Sequence, residues 1–346
     1  MAQTYDFIIV GQGLVGSLVA MDLIKRGKSV MVMDHNHDQS SSAIAAGLIN
    51  PISGPRLHLV SQFESYIYKA KKKYHELESF WNTSLLIPVT QHRKILSEFE
   101  KEYLDKRLLD SKYHPYIIKS EYKKTLFVPS PYESIEIRES YYLEVKKLLG
   151  LCKKYFIERG SYQNEKFDHQ TLQHKTDCIT YKNIQTQSVI FCEGHQVRFN
   201  PFFSHLPLNP SKGEIISVSM KSEKKFLHNW GHWMLPVKNN VWMLGANFTR
   251  EKLDTQPTQE ALNFLLGSAK ENLTLPPFDM IAHEAGIRPS TKGHLPLIGP
   301  HSKYPKLYCC NGFGSKACLK APYYSELLVD HILDGRTIPK EFQKCL

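Results

Sequence analysis

The sequence of 346 residues predicts an α/β fold (α+β overall) in which a parallel-sheet domain, built from several chain segments, is interrupted by an antiparallel-sheet domain. Three observations predict it. The chain opens with an apolar strand, a glycine-rich turn, a helical stretch and a second apolar strand. Residues 213–249 alternate between short strands and turns, which is typical of an antiparallel sheet. A strand over Leu307–Asn311 and a helix from Pro322 to Leu333 then return to the first pattern.

The opening segment carries a glycine motif. Strand Phe7–Val10 leads into Gly11, Gly13 and Gly16 in the spacing Gly-x-Gly-x-x-Gly, and a second apolar run ends at Asp34. In such a unit the glycines allow the turn, the approach of a pyrophosphate and close helix packing, while N–H groups at the helix start face the phosphates. A carboxylate about 20 residues later accepts a hydrogen bond from a ribose. The segment therefore predicts a Rossmann-like dinucleotide-binding unit.

The remaining elements follow from apolar periodicity and turn residues. Helices are predicted over residues 58–82, 96–109, 139–159 and 258–270. Strands are predicted near Tyr162–Phe167, Cys178–Tyr181, Ser188–Cys192, Glu214–Met220, Trp233–Val237 and Val241–Gly245.

Composition narrows the class of protein. A hydrophobic content of 42% and a charged content of 23% are ordinary for a globular chain. The sequence has no run of eighteen apolar residues and no secretory signal, so neither a membrane span nor export is expected. Seven cysteines without regular spacing predict no disulfide framework. Cys309 and Cys310 are expected to point to opposite faces of a strand, and no metal site is predicted. We therefore expect a cytoplasmic protein.

The net charge of +10 has two interpretations. Lys69–Lys73 and Glu121–Lys124 combine lysines with nearby aromatic residues, as a nucleic-acid surface does. Solvated helix faces are the favoured interpretation, so a nucleic-acid partner is the less expected one. Basic charge also attracts anionic substrates.

Four further segments carry a family resemblance. Residues 40–51 are rich in small side chains, and residues 286–299 contain Gly-Ile-Arg-Pro. Residues 311–317 read Asn-Gly-Phe-Gly-Ser-Lys-Ala, and residues 212–214 read Lys-Gly-Glu. Together with the glycine motif, the chain resembles the D-amino-acid oxidase superfamily of FAD enzymes, particularly its glycine oxidase and sarcosine oxidase branch, over nearly its whole length.

The resemblance implies non-covalent FAD, because no cysteine stands near Gly286, where sarcosine oxidases carry the flavin-linked one. It also implies an FAD-binding domain of residues 1–84, 139–205 and 280–346 and a substrate domain of residues 85–138 and 206–279. The implied cofactor-binding residues are Gly11, Gly13, Leu14, Val15 and Gly16 at the pyrophosphate, Asp34 and His35 at the ribose, Ser41, Ser42, Ala46, Gly47 and Leu48 along the phosphates and flavin, Phe167 and Gly194 near the adenine, and Phe313, Gly314, Ser315, Lys316, Ala317, Cys318 and Leu319 at the flavin edge.

The resemblance also implies catalytic residues. Arg288 matches the arginine that binds the substrate carboxylate; pairing with a structural carboxylate is the alternative. Lys316 would add positive charge at the flavin, or else point to solvent. Trp233 matches an aromatic position over the pocket, or is a core residue. Asn247 and Phe248 are further candidates for lining the pocket.

The expected reaction is oxidation of the C–N bond of glycine, an N-substituted glycine or a D-amino acid. The expected route is hydride transfer to flavin N5, with dioxygen as acceptor and a quinone as the alternative. The expected partner is thus a small amine or amino acid with a carboxylate. Two other functions stay open. The last motif also resembles the oxidase half of the bifunctional enzyme that trims carboxymethylaminomethyl-uridine in tRNA, and the chain could be a flavoprotein binding module without turnover.

Overall fold

The computed structural model describes residues 3–35, 40–120, 125–175, 177–293 and 295–343. Its helices in these ranges are α1 (Leu14–Lys25), α2 (Ser41–Ile44), α3 (Phe63–Trp81), α4 (Glu98–Leu108), α5 (Val145–Glu158), α6 (Gln259–Asn272), α7 (Ala317–Asp334) and α8 (Lys340–Gln343). Its strands are β1 (Gln3–Val10), β2 (Val30–Asp34), β3 (Leu48–Ile49), β4 (Ile52–Ser53), β5 (His58–Leu59), β6 (Leu86–Pro88), β7 (Gln91–Lys94), β8 (Ile117–Ser120), β9 (Ser134–Ile137), β10 (Tyr141–Leu143), β11 (Tyr162–Asn164), β12 (Leu172–His174), β13 (Ile179–Tyr181), β14 (Ile184–Phe191), β15 (Ser211–Met220), β16 (Leu227–Asn229), β17 (Trp233–Pro236), β18 (Val241–Gly245), β19 (Phe278–Arg288), β20 (Leu297–Pro300) and β21 (Leu307–Asn311).

A parallel sheet contains the N-terminal unit. Its order is β11-β2-β1-β14, with β21 parallel to the second half of β14 and the antiparallel β13 beside the first half. Helices α1, α3, α5 and α7 share one apolar core on one face, and a second core covers the other. Cys310 belongs to the first core and Cys309 to the second, so the two cysteines do point to opposite faces. The predicted Rossmann-like α/β fold is confirmed.

The second large sheet is antiparallel apart from one pair. Its order is β19-β15-β18-β17-β16-β7-β9-β8, and only β16 and β7 run parallel among these strands. One face packs on α6 through a core that includes Trp242 and Leu265. The predicted domain boundary at residue 280 lies inside β19, which pairs with β15 as far as Arg288. By sheet membership, the second sheet therefore extends to residue 288.

Three helices differ from their predicted bounds. The helix predicted over residues 58–82 spans Phe63–Trp81, because His58–Leu59 pairs with β4 as a strand. The helix predicted to begin at residue 139 starts at Val145, because Tyr141–Leu143 pairs with β3 and β6 as a strand. The last helix begins at Ala317 instead of Pro322. A proline inside a helix leaves the carbonyl four residues earlier without its usual donor. Here Tyr74 Oη donates to that carbonyl, Cys318 O, at 2.7 Å, so the helix continues through Pro322.

The lysines of α3 pair with acidic residues on neighbouring elements. Lys69 Nζ lies 2.9 Å from Glu326 Oε1, and Lys71 Nζ lies 2.6 Å from Glu139 Oε2. Lys73 forms a buried ion pair with Asp22 of α1. These contacts favour structural ion pairs for Lys69, Lys71 and Lys73; Lys73 is buried, which differs from the predicted solvated helix face. The second basic segment, Glu121–Lys124, lies outside the described residues.

The Asp22–Lys73 pair leads to a stability prediction. Asp22→Asn removes the counter-charge of a buried ammonium, so we expect the free energy of unfolding to fall by about 3–5 kcal/mol. The control Asp105→Asn removes the partner of Lys101 in a pair with both side chains at least one-third exposed, and it should cost less than about 0.5 kcal/mol. Denaturant titration measures both, and equal losses would contradict the assignment.

Within the described ranges, every helix is too short or too polar to span a membrane.

Candidate functional site

A cleft of about 970 Å³ is lined by residues of both large sheets, near the upper end of the range of about 300–1,000 Å³ for ligand sites. Residues that end or follow β1, β2, β14 and β21 line it: Gly11, Asp34, Cys192 and Asn311. The carboxyl ends of parallel strands are where open α/β sheets bind ligands.

The glycine motif places a helix start at this cleft. Gly11 has φ +97°, and its N–H donates to Met33 O at 2.8 Å, which joins the ends of β1 and β2. A Cβ on Gly16 would lie 1.9 Å from Gly11 O, so only glycine allows this approach of helix and turn. Helix α1 has no side-chain cap at Gly13 and no acidic residue in its first turn. Its N-terminal dipole is therefore suited to an anion.

The second strand end provides polar groups beside this turn. Asp34 Oδ1 accepts a hydrogen bond from Gln12 N at 3.0 Å, and His35 follows it in the cleft wall. Further along the wall, Phe167 stacks on Tyr181 with ring centroids 4.2 Å apart. Asp34, His35 and Phe167, the residues predicted for the ribose and adenine, thus all line the cleft.

The turn before Gly194 carries an acid that is held by its neighbours. Glu193 accepts from Asn200 Nδ2 at 2.7 Å and lies 2.9 Å from His169 Nε2. Gly194 O accepts from Asn311 Nδ2 at 2.8 Å, which links β14 to β21. The Glu193 carboxylate is thus held by local hydrogen-bond partners, and the turn forms part of the cleft wall.

A second helix start faces the other end of the cleft. Residues 313–318, at the beginning of α7, line the wall, and no side chain caps the helix. Lys316 Nζ donates to Asn50 Oδ1 at 2.9 Å, also in the wall. Burial, with a smaller contribution from the Lys320 charge, lowers the pKa of the Lys316 ammonium to about 8. Lys316 is therefore a cleft residue and not a lysine that points to bulk solvent.

Arg288 ends β19 and reaches the cleft over a glycine. A Cβ on Gly213 would lie 1.9 Å from Arg288 Nη2, so the guanidinium rests on the bare backbone of β15. Its Nη1 donates to Asn247 O at 3.3 Å and Lys212 O at 3.5 Å. Burial alone lowers its pKa. In the described part of the chain it forms no ion pair with a carboxylate, so the structural-pair alternative is not supported.

Trp233 also lines the cleft, from the first residue of β17. It pairs with Gly245 of β18, and a Cβ there would lie 2.6 Å from Trp233 Cζ2. The indole packs against Leu235 and its neighbours in a small core and is only partly buried. Trp233 is therefore both a packing residue and a wall of the cleft.

Most predicted site residues come together in this one cleft. The exceptions are Gly16 and Leu319 among the cofactor residues, and Asn247 and Phe248 among the pocket candidates. Gly16 packs against Gly11, and Leu319 is completely buried in the core because the helix turns it away from the wall. Asn247 contacts Arg288 by its carbonyl, and Phe248 is 57% exposed.

Sequence reasoning missed other wall residues. Asn50 and Asn311 were quoted within motifs without a role, and Gly213 within Lys-Gly-Glu. Nothing in the local pattern marked Arg198, Phe199 or the segment Leu253–Thr255, which reaches the cleft through a long connection. The sequence offered one usable signal for these wall residues: Gly213 is a glycine within the Lys-Gly-Glu motif, and a glycine leaves room for a neighbouring side chain.

The cleft fits an extended dinucleotide. The start of α1 beside Gly13, where Leu14 N donates to Ser42 Oγ at 3.1 Å, suits a pyrophosphate. Asp34 ends the neighbouring strand β2, and the start of α7, which no side chain caps, forms the far end together with Lys316. A family model described as DAO, FAD dependent oxidoreductase, matches residues 6–331. The chain belongs to this family. FAD is thus its cofactor, and the predicted family resemblance is confirmed.

Individual relatives agree with the family assignment. The chain is 23% identical over 366 residues to the tRNA 5-methylaminomethyl-2-thiouridine biosynthesis bifunctional protein MnmC of Legionella pneumophila; the match covers 93% of this chain and 53% of that protein. The chain therefore spans about half the length of the curated relatives that match nearly all of its own sequence. Glycine oxidase from Bacillus cereus has a TM-score of 0.83 at 18% identity, covering 98% of this chain and 97% of that one. Iminodiacetate oxidase from Chelativorans sp. has a TM-score of 0.81 at 17% identity, covering 97% and 98%.

The support of Arg288 by bare backbone leads to a prediction. Gly213→Ala should displace the guanidinium. Under the substrate-binding role proposed below for Arg288, KM should then rise about tenfold or more while FAD affinity changes little. Gly267→Ala, where no atom lies within 4 Å of the added Cβ, is the matched control. Steady-state kinetics and FAD titration measure both variants. An unchanged KM in Gly213→Ala would contradict the observed packing.

Proposed function

We propose that the chain uses non-covalently bound FAD to oxidise the C–N bond of a small amine that carries a carboxylate: glycine, an N-substituted glycine or a D-amino acid. Dioxygen is the proposed electron acceptor. The family assignment supports FAD-dependent redox chemistry, and the residues of the cleft support the choice of substrate.

The observation that carries the proposal is the guanidinium of Arg288, which has no carboxylate partner among the residues that the structure describes. A desolvated cation without a counter-charge is unfavourable, and burial does lower the pKa of Arg288. A carboxylate would complete the site, because guanidinium binds it through two parallel charge-assisted hydrogen bonds. Both hydrogen bonds to backbone carbonyls are donated by Nη1, whereas Nη2 lies above Gly213 and takes part in neither of them.

The cleft residues have distinct proposed roles. The N–H groups of Leu14 and Val15 and the hydroxyl of Ser42 would hold the pyrophosphate, Asp34 the ribose, and residues 313–318 the flavin ring. Bound FAD supplies the two-electron acceptor for the C–N bond. Arg288 would orient the substrate carbon by its carboxylate, and Trp233 would exclude water from that side. No side chain is assigned as a base, so the substrate amine must arrive neutral.

Non-covalent attachment is supported by the state of the nearby thiols. Cys192, Cys310 and Cys318 line the cleft. Burial raises the pKa of Cys318 to about 12, and the hydrogen bond of the Cys192 thiol with Cys310, together with burial, raises the pKa of Cys192 well above its ordinary value. Covalent attachment needs a reactive thiolate. Denaturation should therefore release all of the flavin; flavin retained on the unfolded chain would contradict this part.

The position of Lys316 leads to a labelling prediction. With a pKa of about 8, roughly half of its amine is neutral at pH 8, against under about 1% for an ordinary lysine. In FAD-free protein we expect an acetylating reagent to modify Lys316 early, and FAD to protect it. Mass spectrometry at pH 8 measures this, with the exposed Lys72 as an internal control that FAD does not affect. Labelling of Lys316 that is the same with and without FAD would place the cofactor elsewhere.

Oxygen consumption and peroxide release test the proposed reaction. Glycine, sarcosine, D-alanine and D-proline should include at least one substrate, whereas amines of similar size without a carboxylate should not react. Turnover of the simple amines alone would overturn the proposal.

A second candidate is oxidation of an N-substituted glycine on tRNA. The match to MnmC over 93% of the chain favours it, as does an exposed pair beside the site. The Arg250 guanidinium lies 4.8 Å from the centroid of the Phe248 ring. Phe248 directly follows Asn247, whose carbonyl contacts Arg288. Exposed rings of this kind stack on nucleobases. The paired lysines of α3 do not support it.

Binding of tRNA tests this candidate. Affinity should fall steeply with salt, because phosphate contacts release counterions. Phe248→Ala should weaken it about fivefold or more, while Phe99→Ala, which removes an exposed phenylalanine of α4, should not. Weak binding that neither salt nor Phe248→Ala changes would exclude tRNA as the substrate.

A further inference from the structure

A long irregular connection, residues 246–258, joins β18 to α6 beside Arg288. Ala246 and the segment Leu253–Thr255 line the cleft, and Asn247 O accepts from Arg288 Nη1 at 3.3 Å. Connections of this length without secondary structure are uncommon in compact domains and often functional. The connection, called here the 246–258 loop, thus forms the part of the cleft wall that contacts the carboxylate-binding group.

One buried lysine holds both arms of this loop. The main chain of Lys212 pairs with that of Thr249. Lys212 N donates to Thr249 O at 2.9 Å, and Thr249 N donates to Lys212 O at 3.1 Å. Its Nζ lies 2.7 Å from Asp254 Oδ1 and also donates to Gln256 O. The Lys212 side chain is 1% exposed. A single residue therefore fixes the loop at Thr249, at Gln256 and, within the segment that lines the cleft, at Asp254.

Glu214 adds a second anchor on the same face of β15. Its carboxylate accepts from Thr258 N at 2.8 Å and Thr258 Oγ1 at 3.0 Å, at the start of α6. Its main-chain N–H donates to Asn247 Oδ1 at 2.7 Å. Lys212 Nζ lies 3.6 Å from Glu214 Oε1, so the ammonium also balances this buried acid.

Strand alternation places these anchors outside the cleft. Successive side chains of a strand point to opposite faces. Gly213 and Ile215 line the cleft, whereas Lys212 and Glu214 do not. The Lys212 side chain therefore does not touch a ligand in the cleft. It reaches the site through the loop, while the Lys212 main-chain carbonyl separately accepts from Arg288 Nη1 at 3.5 Å.

We propose that Lys212 is a positioning residue for the carboxylate site: its ammonium holds the 246–258 loop so that the Asn247 carbonyl and the Leu253–Thr255 wall set the place of the Arg288 guanidinium. The inference rests on the proposed role of Arg288 in binding a carboxylate. Without the ammonium, Asp254 keeps Lys252 at 3.3 Å and Glu214 keeps His283 at 2.9 Å, but the tie between Asp254 and β15 is lost, so the loop is expected to move Asp254 toward water. Arg288 then keeps its charge but loses its fixed orientation.

The test compares holoenzyme variants by binding as well as turnover. Lys212→Met keeps the length of the side chain and removes the charge, whereas Lys212→Arg keeps the charge. Lys94→Met is the matched control, since Lys94 is a buried lysine of the same sheet that bonds Asn272 away from the cleft. Acetate, as an unreactive carboxylate, is titrated against the visible flavin spectrum to give Kd. Hydrogen exchange reports the order of the 246–258 loop.

Lys212→Met is expected to raise the Kd for acetate and the KM for the amine substrate at least tenfold, with kcat and FAD affinity within about twofold. Hydrogen exchange should increase in the 246–258 loop. Lys212→Arg should restore most of the affinity, and Lys94→Met should resemble the wild type. If Lys212→Met does not fold, Asp254→Asn removes the same tie from a partly exposed position and should raise the Kd for acetate.

Two results would overturn the inference. One is an unchanged Kd for acetate in Lys212→Met. The other is a loss of FAD that matches the loss of acetate binding, which would show a general structural role. A wild-type protein that binds acetate but oxidises no carboxylate-bearing amine would instead contradict the proposed function and leave the positioning role supported by the acetate titration.

Discussion

Arg288→Ala is expected to raise KM for a carboxylate-bearing amine about a hundredfold or more while the protein keeps its FAD. The variant removes two charge-assisted hydrogen bonds, each worth about 1.5–3 kcal/mol. Within the described chain the guanidinium donates hydrogen bonds only to the carbonyls of Lys212 and Asn247, so its removal leaves no buried carboxylate without a partner. Stability and flavin binding should therefore change little. Steady-state kinetics and flavin titration provide the two measurements.

Arg288→Lys separates charge from geometry. Lysine keeps the charge but not the planar fork, so KM should lie between those of the wild type and Arg288→Ala. If FAD affinity and KM change equally in Arg288→Ala, the arginine is structural and the assignment of the carboxylate site is wrong.

Gly16→Ala is expected to abolish retention of FAD. The added Cβ would lie 1.9 Å from Gly11 O and 3.2 Å from Cys192 Cβ. Neither contact can be relieved without moving α1 away from the turn that forms the pyrophosphate site. The flavin content of the purified protein and FAD titration by fluorescence measure the effect.

Gly150→Ala is the matched control for Gly16→Ala. Gly150 also lies inside a helix, α5, but it is exposed and no atom lies within 4 Å of an added Cβ. The variant should bind FAD normally and gain about 0.5–1 kcal/mol in unfolding free energy, because alanine is the better helix former. Normal FAD binding by Gly16→Ala would contradict the close packing of α1 on its turn.

The parts of the fold that could be predicted are those governed by local chemistry. The Gly11–Gly16 motif demands one strand-turn-helix geometry, so the N-terminal unit and its cleft followed from the sequence. The short strands of residues 213–249 followed from alternation. The start of α7 did not, because the Tyr74 hydroxyl that replaces the donor lost at Pro322 lies 244 residues away from Cys318 in sequence.

The candidate site shows the same limit. Arg288 could be named from its motif, but its lack of a counter-charge and its contact with Gly213 arise from the pairing of β19 with β15. Lys212 could not be assigned a role, because its partners Asp254 and Gln256 lie in an irregular connection without a local signal. The domain division around residues 84, 138, 205 and 280 stays a prediction.

Anaerobic mixing of the purified FAD protein with carboxylate-bearing amines tests the central claim most directly. The account predicts that glycine, an N-alkyl glycine or a D-amino acid bleaches the visible flavin band, and that Arg288→Ala needs a far higher concentration of the same compound. A flavin that stays oxidised with every carboxylate-bearing amine, or that is bleached equally well in Arg288→Ala, would contradict it.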